Sequence, residues 1–355
     1  MTYDPELGKL APSAHKRVFR TLSHAVTSNM VHHAYLFEGE EGVAKTETAS
    51  WLAGLLLCEG VVHEEVEGVG SLSMPCGSCG GCGSLSRQQH PDLLEIAPPE
   101  GKKQILMEQV KELIQKVCYA PLRGNRRVIF IHRADRLGEV AANALLKTLE
   151  EPAPYNTFVL LTHRPQALLG TILSRCQRVR FAPLPRKMLV ELLSGVGLDR
   201  ANAHVLAAAS GGSFGKARAL NEADFLEQAQ VWLNRYLSPG TDDSADPQGA
   251  IAEAGELAQA YRKNPDPTTS GIALLLTTLR LGLRDILLCS SGTVAEQLTW
   301  PGRREITMGI GEKISISRLR SLMDRVLEAE EVFLRPLNPT LVVEDTLLRV
   351  VTSIR

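Results

Sequence analysis

Three cysteines recur at a spacing of two intervening residues in Cys76-Gly-Ser-Cys79-Gly-Gly-Cys82. The small residues between them let consecutive thiolates converge on one centre, and Cys58, at the end of an upstream helical segment, can supply a fourth. Four thiolates around a tetrahedral ion make a closed structural zinc site, with no open position for catalysis. Two other chemistries use parts of the same pattern. An iron–sulfur cluster shares C-x2-C-x2-C but continues to a C-P that this chain lacks, and a redox dithiol needs only one of the pairs. The count of seven cysteines is odd, and Met-Thr-Tyr-Asp-Pro-Glu-Leu at the start has no apolar signal core, so a metal site is favoured over a disulfide framework and the expected address is cytoplasmic.

A second group is Gly39-Glu-Glu-Gly42-Val-Ala44-Lys45-Thr46, with the spacing of G-x-x-x-x-G-K-[ST] apart from Ala44, which stands where the last glycine belongs. In a working phosphate loop, backbone N–H groups cradle the phosphates, the lysine neutralises the outer ones and the hydroxyl holds magnesium. Gly39, Gly42, Lys45 and Thr46 retain that capacity toward ATP or ADP, and an ordinary strand-to-helix turn carrying a lysine is the competing reading. Hydrolysis also needs carboxylates at the end of a second strand, to hold magnesium and orient water. The strand Val128-Ile-Phe-Ile131 ends instead in His132 and Arg133, with Asp135 further on as a turn or cap residue, so the hydrolytic chemistry is expected to be missing.

The elements that position these residues follow from periodicity. His33 to Glu38, Val128 to His132, Thr157 to Thr162 and Arg178 to Phe181 read as strands. Thr46 to Cys58, Met107 to Val117, Glu139 to Glu150 and Gln166 to Leu173 read as helices, the third stopped by Pro152 and Pro154. This alternation predicts an α/β domain with a mostly parallel sheet. Val61 to Gly83 reads as an insertion outside the sheet. After Pro183 the strands vanish. Helical segments at Arg186 to Leu193, Arg200 to Ser210 and Ser213 to Tyr236 suggest a small helical domain. The polar stretch Ser238 to Pro247 reads as a linker, and helices at Ile251 to Arg262, Gly271 to Ser290, Ser317 to Leu334 and Leu341 to Ser353 as a bundle.

The whole is 355 residues, 44% hydrophobic and 22% charged, the composition of a globular protein of two or three domains. Its 39 basic and 40 acidic residues give a net charge of -1, which argues against a free-standing nucleic-acid binder held by bulk electrostatics. The longest apolar runs fall far short of a membrane span.

Asn143-Ala-Leu-Leu-Lys-Thr-Leu-Glu-Glu-Pro152, the strand Phe158 to Thr162 and Ser174-Arg175-Cys176 together resemble the bacterial clamp-loader AAA+ family of DNA polymerase III. Within that family, missing Walker B carboxylates beside an intact Ser-Arg-Cys motif resemble the delta-prime branch. The likeness is clear over about Ala34 to Leu184, and Asn338-Pro-Thr-Leu-Val-Val-Glu-Asp-Thr-Leu-Leu348 is similar to the family's last collar helix. The resemblance implies a RecA-like AAA+ domain over residues 1–184 with a zinc module at about 58–83, a helical lid over 185–240 and an oligomerising collar over 248–355. It implies a structural zinc on Cys58, Cys76, Cys79 and Cys82. It also implies a non-hydrolysing subunit of a polymerase holoenzyme, whose partners are ATPase motor and delta-type subunits and, through the complex, the sliding clamp and primer–template DNA.

Read alone, Arg175 is a solvated surface arginine; the resemblance makes it a finger reaching into a neighbouring subunit's ATP site. The helix Ala144 to Glu151 is amphipathic, with Leu145, Leu146 and Leu149 inward and Lys147, Glu150 and Glu151 outward, and the resemblance sets such helices near a subunit interface. Arg123, Arg126, Arg127, Arg133 and Arg136 flank the second strand as either a solvated loop or a contact to DNA or a neighbour. Two other functions stay open: an active P-loop ATPase motor of the same loader, opposed by His132 and Arg133, and a zinc-dependent nucleic-acid module, opposed by the near-zero charge.

Overall fold

The computed structural model describes residues 5–238, 246–263, 265–292, 297–332 and 338–354. The chain divides between Pro185 and Arg186 into two compact units. In the first, the helices α1 (Pro5–Ala14) and α2 (Lys16–Thr27) precede β1 (Ala34–Glu38) and α3 (Lys45–Leu57). A hairpin of β2 (Val62–Val66) and β3 (Gly70–Met74) and the short α4 (Gly80–Ser86) follow. Then come β4 (Leu93–Ile96), α5 (Met107–Val117), β5 (Arg127–Ile131), α6 (Glu139–Glu150), β6 (Asn156–Thr162), α7 (Gly170–Leu173) and β7 (Gln177–Arg180).

Five strands form one sheet in the order β4-β5-β6-β1-β7, with every pair parallel. The apolar runs in β1, β5 and β6 are continuous because both sheet faces are covered. Successive side chains point to opposite faces, and the core divides accordingly. Ala34, Leu36, Ile129, Ile131, Phe158 and Leu160 pack with Val110, Leu113, Leu145 and Leu149 of α5 and α6. Tyr35, Phe37, Val128, Phe130, Val159 and Leu161 pack with Leu22 of α2 and Ala49, Leu52 and Ala53 of α3. The carboxyl ends of β1, β5 and β6 therefore meet along one edge, and the loops that follow them carry the nucleotide-type residues.

The expected insertion contains a formed hairpin, separate from the main sheet. It is pinned to α2: the Ser73 amide donates to Ser23 Oγ at 2.9 Å and Arg20 Nε donates to the Val69 carbonyl at 2.6 Å. Val69 and Leu72 are buried beneath it. The helix expected at Gln166 to Leu173 is two short pieces, a 3-10 turn at Pro165–Ala167 and α7, because Leu168 and Leu169 are both extended.

The second unit is all helical among the described residues: α8 (Arg186–Gly195), α9 (Arg200–Ala209), α10 (Phe214–Glu222), α11 (Phe225–Tyr236), α12 (Pro247–Lys263), α13 (Gly271–Ser290), α14 (Arg304–Lys313), α15 (Ile316–Val332) and α16 (Pro339–Ile354). The single helix expected from Ser213 to Tyr236 breaks at Asp224, whose φ of 53° is left-handed. Residues 239–245, most of the expected linker, lie outside the described residues. Two buried or half-buried side chains fix this unit's loops. Asp285 accepts the Thr299 and Trp300 amides at 2.7 and 3.0 Å, and Arg303 donates to the Leu233 and Leu237 carbonyls at 3.0 and 3.1 Å, which satisfies the end of α11. No described helix is long and apolar enough to cross a membrane.

Candidate metal centre, phosphate loop and arginine

The four cysteines named from spacing converge. Cys58 caps the end of α3 in extended conformation, Cys76 follows β3, and Cys79 caps the start of α4. Their four sulfur atoms lie within 4.8 Å of one another. The Cys58 sulfur is 3.9 Å from that of Cys79 and 3.7 Å from that of Cys82. A tetrahedral ion with Zn–S bonds of about 2.3 Å requires S···S edges of about 3.8 Å, so the separations fit zinc. Backbone amides point at the sulfurs: Cys76 N to Cys58 Sγ at 3.3 Å, Cys79 N to Cys76 Sγ at 3.4 Å and Cys82 N to Cys79 Sγ at 3.3 Å. Such donors favour thiolate, and the amides of Ser78 and Cys79 bring Cys76 down to about 6. Burial pushes Cys82 the other way, to about 12, so that sulfur needs a cation to ionise it. The chain must also pass close to the end of α3 here. A Cβ on Gly81 would sit 2.4 Å from the Leu57 carbonyl oxygen, so only glycine fits. These residues can hold a zinc ion; its chemistry would be structural, four thiolates leaving no position for a substrate.

The phosphate-type loop joins β1 to α3, as its spacing requires. Gly39 lies against the end of β7, where an added Cβ would come within 2.5 Å of the Phe181 carbonyl oxygen. Gly42 has φ 71° and Ala44 has φ 70°. Ala44 thus adopts the left-handed conformation that a glycine would take, at a steric cost of roughly 1–2 kcal/mol. Lys45 is 4% exposed, and its ammonium is turned onto the loop itself, donating to the Gly39 carbonyl at 2.7 Å and to the Glu40 carbonyl. Desolvation lowers its pKa to about 8, with the nearby carboxylates Glu41, Glu40, Glu47 and Asp135 opposing the shift. Thr46 is buried in the first turn of α3.

Positions 132 and 133, which follow the opposing strand β5, carry no carboxylate. His132 is buried and its Nε2 lies 2.9 Å from Glu95 Oε2. Arg133, at φ 48°, reaches back across the loop to Glu41 Oε1 at 3.3 Å. His163 Nδ1 lies 3.6 Å from the same Glu41 oxygen and 3.7 Å from Asp135 Oδ1. Asp135 accepts from the Thr162 hydroxyl at 2.8 Å. Lys45 is thus held by the loop's own carbonyls and Glu41 by Arg133 and His163, and Glu40 and Glu41 place two negative charges beside the lysine.

Glu41, Thr162 and His163 are site residues that the sequence reading passes over. His15, between α1 and α2, is another: its Nε2 donates to the Val43 carbonyl at 2.8 Å, and burial lowers its pKa despite that bond. Glu41 occupies a variable position of the phosphate-type motif, and Thr162, His163 and His15 belong to no recognisable spacing, so nothing in the sequence singles them out.

Arg175 follows α7 and precedes β7. Its Nη2 lies 2.5 Å from Glu150 Oε1, the side chain being 32% exposed, and its Nη1 donates to the Thr171 carbonyl at 2.8 Å. Cys176 beside it is buried, and desolvation raises its thiol to about 12, which makes it an inert packing residue. The arginines around β5 are tied within this unit. Arg127 is 4% exposed and donates to the carbonyls of Lys116, Tyr119 and Ala120. Arg123 meets Glu59 at 3.4 Å, Arg126 donates to Asn29 Oδ1 at 2.7 Å, and Arg136 meets Asp135 at 3.6 Å.

A parallel sheet with a strand–loop–helix phosphate motif on its carboxyl edge defines a P-loop-type α/β domain, which here also carries a four-cysteine knuckle. The family described as "DNA polymerase III, delta subunit" matches residues 14–185. DNA polymerase III subunit delta' of Bacillus subtilis (strain 168) is 36% identical over 188 residues, covering 53% of this chain and 52% of that protein. Subunit delta' of Escherichia coli (strain K12) is 34% identical over 207 residues, 58% of this chain and 59% of that protein. Subunit tau of Escherichia coli (strain K12) is 35% identical over 213 residues, 58% of this chain and 31% of that protein. The chain spans about half the length of the delta' relatives and about a third of tau. Residues 14–185 belong to the bacterial DNA polymerase III clamp-loader family.

Proposed function

We propose that this protein is the delta-prime-type subunit of a DNA polymerase III clamp loader: a cytoplasmic, non-hydrolysing AAA+ scaffold. It joins ATPase motor and delta-type subunits, and through that complex it helps place a sliding clamp on primer–template DNA. Residues 185–240 serve as lid and 248–355 as the oligomerising collar. Zinc on Cys58, Cys76, Cys79 and Cys82 is structural. Arg175 contributes its guanidinium to the ATP site of a neighbouring subunit, where a planar fork can bridge phosphate oxygens.

The observation that carries this reading is the end of β5. With His132 and Arg133 where magnesium and water need carboxylates, and with Lys45 turned onto Gly39, the chain lacks the parts to hydrolyse ATP itself. Arg175, by contrast, is partly exposed at the end of α7. An active motor is the second reading, favoured by the match to tau at an identity similar to that of delta'. Reconstitution separates the two. Arg175→Ala is expected to assemble normally and to lower the clamp- and DNA-stimulated ATPase of the complex at least tenfold, a single finger being worth up to roughly 10³–10⁵ in rate. Normal turnover in that variant sinks the finger; turnover by the isolated chain that vanishes in Lys45→Ala establishes the motor.

A further inference from the structure

The assignment of Arg175 as a trans-acting group leaves open what its guanidinium does when no neighbour's phosphate is present. In this chain it is occupied. Nη2 is paired with Glu150 Oε1 at 2.5 Å, and Nη1 donates to the Thr171 carbonyl at 2.8 Å and to Ser174 Oγ at 3.3 Å. Both terminal nitrogens, the pair that would fork onto a phosphate, are spent on the protein's own surface. The pair lines an open cleft of about 520 Å³ together with His32, His33, Leu149 and Ser174. Of these six residues Glu150 alone is anionic at neutral pH, and it stands against the arginine as a bound anion would.

We propose that Glu150 is a latch on Arg175: its carboxylate takes the position of the neighbour's phosphate and holds the finger folded back until that phosphate displaces it. This rests on the reading of Arg175 as a trans finger. The elements support it independently of the pair's length. Glu150 ends α6, and Glu151, its cap, is followed by Pro152, so the helix stops at the residue that meets the arginine. Arg175 is held from the other side by the last turn of α7 through Thr171. The contact joins two packed elements and spans 25 positions of the chain, so it is not a local accident of an i,i+4 helix face. Both partners are half-exposed, 32% and 44%, which makes the pair weak enough to be exchanged. Exposed pairs of this kind are worth about 1.5- to 5-fold in an equilibrium, so the latch biases the finger without locking it.

Glu150→Gln, which keeps the size and removes the charge, is assayed in the reconstituted loader beside Arg175→Ala and the double variant, measuring kcat and KM for ATP with and without clamp and DNA. The latch predicts that Glu150→Gln raises kcat of the unstimulated complex about 1.5- to 5-fold. It also predicts an unchanged KM, a nearly unchanged stimulated rate, and loss of the gain in the double variant. If Arg175→Ala slows the complex while Glu150→Gln leaves the unstimulated kcat unaltered or lowers it, the latch is wrong and the finger stands. If Arg175→Ala changes nothing, the finger itself falls, and the latch with it.

Discussion

The cysteine knuckle and the phosphate loop lie in the same unit, at the two ends of α3, and both keep the residue types of a ligand site. They differ in what those residues face. In the knuckle, four sulfurs point at a common centre and backbone amides support their charge from outside. In the loop, the lysine donates to its own loop's carbonyls, Glu41 is shared between Arg133 and His163, and Asp135 is taken by Thr162. A group that already has a protein partner must give it up to bind a ligand, whereas convergent thiolates repel each other until a cation arrives. Residue types alone therefore do not describe a ligand site until the partners of each side chain are known.

The largest expected effect tests the knuckle. Structural zinc contributes on the order of 10–16 kcal/mol of apparent binding free energy in small folds, and the purified chain should carry about one zinc. Cys76→Ser should lose that metal and expose the amides of residues 76–86 to rapid hydrogen exchange. Residues 62–74 should stay protected, because Ser23 and Arg20 hold the hairpin from α2. Elemental analysis finding iron, or no metal, would remove one side of the comparison.

A smaller effect tests the loop. Lys45 should titrate near 8 by NMR of its side-chain carbon. Because that value lies below the unfolded value of about 10.4, the group's burial costs stability below pH 8, and the cost is relieved progressively as pH rises from 8 to about 10.4. ATP and magnesium should leave the midpoint in place. A midpoint driven upward by ATP would mean that the loop accepts phosphate after all, and the contrast with the knuckle would collapse.

The smallest effect concerns Ala44. Ala44→Gly relieves a left-handed strain of about 1–2 kcal/mol but adds roughly 0.5–1 kcal/mol of unfolded-state freedom. Urea denaturation should show a gain of at most about 1.5 kcal/mol, with no nucleotide binding acquired. If the unaltered chain binds no nucleotide, tight binding in that variant would trace the difference to one methyl group and clear Glu40, Glu41 and Arg133 of any part in it.

Much of the first unit is legible in the sequence because strands covered on both faces are runs such as Val128 to Ile131, and because Pro152 and Pro154 end α6 unambiguously. The hairpin is not: Val62-His-Glu-Glu-Val66 is almost wholly exposed, so neither face imposes an alternation. The break before α11 hides for another reason, since Ala223 and Asp224 are not strong breakers and packing on both sides dictates the turn. For the site, thiol spacing identifies residues by their convergence in sequence. The pairing of Glu41 with Arg133, or of Glu150 with Arg175, spans 92 and 25 positions of the chain and leaves no local trace.

The hairpin's attachment to α2 has a consequence for the order of synthesis. All four thiols, the end of α3, the hairpin and the helix that pins it are complete in the chain by Ser86. The strands that flank β1 in the finished sheet are β6 and β7, and they leave the ribosome only with residues 156–180. A growing chain thus holds every group needed to capture a metal ion some seventy residues before β1 has either neighbour, and the knuckle can serve as a fixed point against which the rest of the unit closes.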